Sequence, residues 1–157
     1  METKKDSPGV YIPPPLFYVL IFLAAVLVQK KFSIDDAVFH LQTMKLAGIV
    51  LLAVALFFLV TSLRKFFQSN NTLVPIKPAA SLQTNGIYNT SRNPMYVGLA
   101  IMYLGITCFI GNWWNIILFP LLIVIVQAYI ITREEQYLTR RFGQAYLDYK
   151  TKVRRWL

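Results

Sequence analysis

The segment Gly86–Tyr96 places an arginine beside the start of an apolar run. Pro94 suits the first turn of a helix, where its missing N–H costs nothing. We expect Asn93, just before it, to cap that helix with its side-chain oxygen. Arg92 then lies at a membrane edge, where a charged side chain is costly to hold, so the segment is a candidate functional site. The alternative is an arginine that reaches from an ordinary loop to the membrane surface.

Two adjacent carboxylates, Glu134 and Glu135, stand where the last apolar run ends. Neighbouring residues on a helix point about 100° apart, so the two cannot serve one ligand in the same way. We expect one of them to pair with Arg92 and the other to face a pocket. The alternative is two solvated acids beside Arg133. Acids at a helix C-terminus oppose the macrodipole, an objection that disappears if the helix continues past the membrane.

The composition indicates one membrane domain that spans residues 1–157. Hydrophobic residues make up 56% of the chain, above the usual share of soluble domains. The formal charge is +9, and the basic residues flank apolar runs, which favours membrane lipids over nucleic acid as the partner. Cys108 is the only cysteine and His40 the only histidine, so we expect no disulfide within the chain, no metal site and no histidine-pair mechanism.

The apolar runs predict an all-α integral membrane fold of about four transmembrane helices and an amphipathic C-terminal interfacial helix. The clearest span carries no charge over about 27 Å, close to the thickness of a bilayer core. The first span is short, and a cleaved signal peptide is a disfavoured alternative, because no small-residue cleavage site precedes Lys30. Residues 1–10 are polar and are expected to be loose. The predicted spans are about 16–32, 46–63, 94–111 and 113–132.

The tail, residues 133–156, carries one apolar stripe at helical spacing and basic residues on the opposite face. Such a helix is typical of a membrane interface, and Gly143 is expected to break it in two. The alternative is a plain surface anchor. The stripe consists of Leu138, Phe142, Tyr146, Tyr149, Val153 and Trp156.

The distribution of lysine and arginine predicts the orientation. With four spans, the two ends of the chain and the 64–93 loop share one side and carry 13 of these residues, against 3 on the other side. Because basic loops stay inside, we expect both termini in the cytoplasm. The segment Gly86–Tyr96 then lies on the same side as the tail.

Several spaced motifs in one order resemble the isoprenylcysteine carboxyl methyltransferase family and the related phospholipid methyltransferases. The family's pattern has histidine where this chain has Asn93, which cannot titrate. Thr72-x-x-Pro75-x-Lys77-Pro78 resembles the bacterial branch, which implies a bacterial inner membrane. The motifs are Gly86-x-Tyr88-x-x-x-Arg92-Asn93-Pro94-x-Tyr96, then Glu134-Glu135-x-x-Leu138, then Phe142-Gly143-x-x-Tyr146-x-x-Tyr149.

The resemblance implies an integral membrane methyltransferase that uses S-adenosylmethionine, bound by the loop at 72–96. Its acceptor would be lipophilic or small, with a carboxylate, amine or thiol as nucleophile, and no metal or nucleic acid would take part. Arg92 and Glu135 would be the catalytic residues. The cofactor-binding residues would be Gly86, Tyr88, Arg92, Asn93, Pro94, Tyr96, Glu134, Glu135 and Leu138.

The chemistry of such a site is consistent with a pocket at the membrane interface. A sulfonium and a carboxylate lose their charges as a methyl group moves, so a low-dielectric site favours the reaction. Tyr88 and Tyr96 could offer ring faces to the sulfonium. Arg92 could bind the carboxylate of the cofactor or of a substrate, and both readings fit the sequence.

Two other functions fit parts of the sequence. One is an NADPH-dependent membrane reductase related to sterol reductases, in which Arg140 and Arg141 would bind the phosphates. The other is a non-enzymatic membrane scaffold, which would leave the set of Arg92, Glu134 and Glu135 unexplained.

Overall fold

The computed structural model describes residues 7–69, 79 and 81–157, and these ranges contain helices and loops but no strand, as the sequence predicts. The motif from Thr72 to Pro78 lies outside the described residues. The helices are α1 (Pro14–Lys31), α2 (Gln42–Gln68), α3 (Pro94–Ile110), α4 (Trp113–Ile125), α5 (Thr132–Phe142) and α6 (Gln144–Lys152). Short 3-10 turns occupy Ala37–His40 and Gly86–Asn89, and a π-helical segment, Val126–Ile131, joins α4 to α5.

Three helical stretches among the described residues are long and apolar enough to cross a membrane, so the chain is an integral membrane protein. They are α1, α2 and the continuous stretch Trp113–Phe142, with 18, 27 and 30 residues. The apolar helix α3 has 17 residues and is about 25 Å long. Helix α2 extends past both ends of the predicted span at 46–63, and Arg64 and Lys65 lie within it.

Small residues bring α2 and α3 into close contact. A Cβ atom on Gly98 would lie 2.8 Å from the Cγ of Leu59, and one on Gly105 would lie 3.0 Å from the Cγ of Leu52. Both positions favour glycine, because a larger side chain at Gly98 would require Leu59 to move and one at Gly105 would require a smaller shift of Leu52. The packing holds the start of α3, and with it Arg92, beside the C-terminal half of α2.

The N-terminal segment packs against the helices. Val10 is 1% exposed and belongs to the main apolar core. The Nη1 of Arg133 donates to the carbonyl oxygen of Gly9 at 3.1 Å, and the hydroxyl of Tyr18 donates to the carbonyl oxygen of Tyr96 at 3.3 Å. The prediction that residues 1–10 are loose is therefore wrong for residues 7–10, because the apolar side chain of Val10 is buried; residues 1–6 lie outside the described ranges.

The last long helix continues past the apolar run without a break. Its π-helical segment inserts an extra residue into one turn, which changes the face that the following residues present. Glu134 and Glu135 consequently lie in the first turn of α5 within one continuous helix, so the macrodipole does not disfavour them. Glu135 points into the protein and is buried.

The tail folds back onto the segment that precedes α3. Gly143, with a φ of +55°, separates α5 from α6, as the sequence predicts. Tyr146 and Tyr149 are buried against Tyr88, so the predicted stripe packs against the chain's own loop. The final helix ends at Lys152, four residues before the predicted end, and Trp156 packs against the main core.

Candidate functional site

A cavity of about 490 Å³ lies where the N-terminal segment, α2, α3, α5 and α6 meet. Its volume is in the range of small-molecule sites. The walls are largely apolar, with a few polar side chains among them. The polar lining includes Tyr88, Arg92, Asn93, Tyr96 and Glu134, and the apolar walls include Leu59, Leu63, Phe66, Leu82, Leu99 and Leu138.

Beside this cavity, Glu135 lies at the centre of a cluster of positive charge. The Nη2 of Arg92 is 3.0 Å from its Oε1, and these two side chains are 7% and 8% exposed. Arg155 donates from Nε to Oε1 at 3.0 Å and from Nη2 to Oε2 at 2.7 Å, and the Nζ of Lys150 is 4.0 Å from Oε2. The hydrogen bonds to Glu135 raise the pKa of Arg155, which keeps its guanidinium charged. One carboxylate therefore faces three cations, so the cluster favours a further anion.

The guanidinium of Arg92 is held in place but is only partly paired. Its backbone N–H donates to the carbonyl oxygen of Arg154 at 2.9 Å, and Nη1 lies 3.5 Å from the carbonyl oxygen of Lys150. The Nε is buried and has no hydrogen-bond partner among the described residues; this N–H is the open donor of Arg92. A buried donor without a partner is costly. Because Arg92 lines the cavity, a small rotation of its side chain would bring this N–H to an acceptor oxygen bound there.

Glu134, one residue from Glu135, occupies a different environment. It lines the cavity, and its Oε1 accepts a hydrogen bond from the hydroxyl of Tyr96 at 2.7 Å. Glu135 instead pairs with Arg92. The structure thus shows the arrangement expected from the 100° between neighbouring helical residues, with one carboxylate on an arginine and the other on the cavity wall.

Tyr88 contributes a second buried polar atom to the cavity. Its hydroxyl has no hydrogen-bond partner in the described part of the chain, while its carbonyl oxygen accepts from the hydroxyl of Tyr149 at 2.6 Å. Burial raises the pKa of the Tyr88 phenol well above its usual value and that of Tyr149 to about 12. Both phenols are therefore neutral near pH 7; the hydroxyl of Tyr149 donates to Tyr88, and that of Tyr88 keeps a proton that it could donate.

Asn93 precedes α3 at the capping position, and Pro94 is the first helical residue, as predicted. The side chain of Asn93 does not cap the helix, however. Its Nδ2 donates to the carbonyl oxygen of Arg155 at 2.9 Å, and its backbone N–H donates to the Oγ of Ser91 at 3.1 Å. The capping prediction is wrong because the tail brings the carbonyl oxygen of Arg155 within reach of the Asn93 amide, and this contact orients the side chain away from the helix N–H groups.

The remaining predicted residues differ in their relation to the cavity. Pro94 and Leu138 line it. Gly86 begins the 3-10 turn with a φ of +68° and is not among the lining residues. Arg140 and Arg141, the phosphate-binding candidates of a reductase, are not among them either.

Sequence reasoning missed three residues of this region. Arg155 and Lys150 surround Glu135, and Tyr137 lines the cavity, with its hydroxyl accepting from the N–H of Ala79 at 2.8 Å. Arg155 stands in a basic run, Lys150 to Arg155, that resembles the solvated face of an interfacial helix. The one signal in the sequence for the position of Arg155 is charge. A tail arginine could pair with one of the two glutamates.

Comparisons with known proteins match part of the chain. A family model described as phospholipid methyltransferase matches residues 43–145, about two thirds of the chain. An uncharacterized protein of Haemophilus influenzae is 42% identical over 66 residues, which are 40% of this chain and 100% of that protein. The protein-S-isoprenylcysteine O-methyltransferase of Schizosaccharomyces pombe is 42% identical over 72 residues, which are 46% of this chain but 30% of the yeast protein. No solved structure matches the chain.

Proposed function

The chain belongs to the phospholipid methyltransferase family, and we propose that it transfers the methyl group of S-adenosylmethionine to a lipophilic or small acceptor at the membrane surface. The observation that carries this proposal is the cavity that combines the open donor of Arg92, the carboxylate of Glu134 and apolar walls. The match to an isoprenylcysteine methyltransferase supports the same reaction class, although it spans 30% of that enzyme.

The residues of the cavity fit the amino-acid end of S-adenosylmethionine. The open donor of Arg92 would bind its carboxylate, and the surplus of positive charge around Glu135 favours that anion. Glu134 would bind the ammonium group, because its carboxylate lines the same cavity. Tyr88 would offer a hydroxyl donor as well as a ring face. The Tyr88 hydroxyl and the Nε of Arg92, which both lack a partner among the described residues, would then each gain an acceptor.

When bound, the cofactor supplies a methyl group on a positively charged sulfur. The apolar walls then exclude water, which lowers the local dielectric and favours a reaction in which opposite charges are lost. Arg92, held by Glu135, fixes the orientation of the bound cofactor relative to the acceptor. The main contribution of the chain is thus alignment of the reacting groups in a dry site.

The acceptor would approach through the apolar side of the cavity. Leu59 and Leu63 of α2 and Leu99 of α3 form this wall, and α2 is long and apolar enough to cross a membrane. A lipophilic molecule could therefore lie partly in the membrane while its nucleophile reaches the cavity. Carboxylate, amine and thiol nucleophiles all fit this arrangement.

The reductase and the scaffold are not supported by the comparisons. The direct test measures thermal stability of the purified protein with S-adenosylhomocysteine or NADPH. We expect S-adenosylhomocysteine at about 100 times its Kd to stabilise the protein by roughly 2.7 kcal/mol, which would be visible as a higher melting temperature. NADPH is expected to have no such effect. A protein stabilised by NADPH alone would contradict the proposal.

We also propose that both termini lie in the cytoplasm of a bacterium, because basic residues are concentrated on that side. In a Cys108→Ala background, Gln68→Cys and His40→Cys place single thiols at exposed positions on opposite sides. An impermeant maleimide added to intact spheroplasts is expected to label the cysteine at position 40 and not the one at position 68. The reverse pattern would invert the orientation, and labelling of both from outside would contradict the spans.

A further inference from the structure

We infer that Arg155 is a positioning residue, which fixes the carboxylate of Glu135 so that Arg92 keeps its open donor for the ligand. This inference rests on the proposed function, because it assigns a role to Arg155 in binding the cofactor's carboxylate. Arg155 is outside the cavity lining, and the family match at residues 43–145 ends before it. Its effect on the ligand would pass entirely through Glu135 and Arg92.

The geometry of the two arginines at Glu135 is unequal. Arg155 makes the two-point contact, from Nε to Oε1 and from Nη2 to Oε2, which is the strongest arrangement for a guanidinium and a carboxylate. Arg92 makes a one-point contact through Nη2 alone. The two-point contact of Arg155 holds the carboxylate in an orientation in which Oε1 meets Nη2 of Arg92 but neither oxygen bonds its Nε, which has no partner among the described residues.

Loss of the Arg155 side chain would free Glu135 from the two-point contact that restricts its carboxylate. Glu135 could then rotate to take both Nε and Nη2 of Arg92, since a carboxylate prefers two parallel hydrogen bonds to one. The open donor of Arg92 would then be hydrogen-bonded to Glu135 and no longer free to bind a ligand. The cavity would keep its shape but lose its best donor for a carboxylate, so selectivity for ligands that carry one would fall.

The backbone around Arg155 is tied to the same site. The carbonyl oxygen of Arg155 accepts from Nδ2 of Asn93 at 2.9 Å and from Oγ of Ser91 at 3.3 Å. The indole N–H of Trp156 donates to the Oε1 of Gln127 in the π-helical segment at 2.9 Å. These contacts hold the tail in place without the guanidinium, so an alanine at position 155 is expected to remove the positioning contact while the tail stays bound.

The test titrates the purified full-length protein and its Arg155→Ala variant with S-adenosylhomocysteine and with 5′-methylthioadenosine, which lacks the amino-acid end. We expect Arg155→Ala to weaken binding of S-adenosylhomocysteine about 10-fold or more, because the ligand would lose a hydrogen bond to a charged group. Binding of methylthioadenosine is expected to stay at the parental level. Arg155→Lys keeps the charge but cannot make the two-point contact, so it should not restore binding.

Arg154→Ala is the matched control, because it removes the neighbouring, exposed arginine and keeps the backbone contacts. We expect it to bind both ligands like the parent. Equal weakening of both ligands by Arg155→Ala would show a merely structural role and overturn the inference, as would unchanged binding of both. A parent protein that does not bind the homocysteine compound would instead overturn the proposed function, and this role with it.

Discussion

Glu135→Gln is expected to lower the free energy of unfolding by roughly 3 kcal/mol, the lower end of the range for breaking a buried ion pair. The change leaves Arg92, which is almost fully buried, without its carboxylate. The loss stays at the lower end because Arg155 is 31% exposed and can recover hydration. For a chain of this size the melting temperature would fall by roughly 6–12 °C.

Glu134→Gln is the matched control, one residue away on the same helix. Its carboxylate accepts one hydrogen bond from Tyr96, which a glutamine oxygen can also accept, and no arginine pairs with it among the described contacts. We therefore expect a melting temperature close to the parental value, with weaker binding of S-adenosylhomocysteine. The measurement compares melting curves of ligand-free Glu134→Gln and Glu135→Gln in one detergent. Equal melting temperatures would contradict the unequal roles of the two glutamates.

Arg92→Ala is expected to weaken binding of S-adenosylhomocysteine by about 10- to 100-fold, the loss of charge-assisted hydrogen bonds to a carboxylate. The ligand-free protein should be destabilised less than by Glu135→Gln, because Arg155 still pairs with Glu135 through two hydrogen bonds. Calorimetric titration gives the affinity, and melting curves give the stability.

Arg92→Lys separates charge from geometry at the same position. Lysine keeps the positive charge but lacks the planar fork, so it should recover little of the lost affinity. Full recovery would show that charge alone matters at position 92. If Arg92→Ala instead melted as low as Glu135→Gln and bound the ligand normally, the arginine would be only structural.

Local rules predicted the parts of the site that depend on neighbouring residues. Pro94 begins α3 and Gly143 breaks the tail, because backbone restrictions of proline and glycine act at the residue itself. The separation of Glu134 from Glu135 follows from helical geometry. The pairing of Arg92 with a glutamate required only that both lie on one side of the membrane.

The parts that the sequence did not predict depend on contacts between distant segments. Asn93 bonds a carbonyl 62 residues away, and Arg155 meets Glu135 across 20 residues. Neither partner can be chosen from periodicity, since several basic residues of the tail could have reached the same carboxylate. The burial of Val10 likewise depends on the space left between helices.

We propose that the cavity binds S-adenosylmethionine with its carboxylate on Arg92. The most direct measurement compares the Kd values of S-adenosylhomocysteine and 5′-methylthioadenosine for the parent and for Arg92→Ala. We expect the parent to prefer S-adenosylhomocysteine by about 10- to 100-fold and Arg92→Ala to lose this preference. A preference that is the same in both proteins, or a parent that binds neither compound, would contradict it.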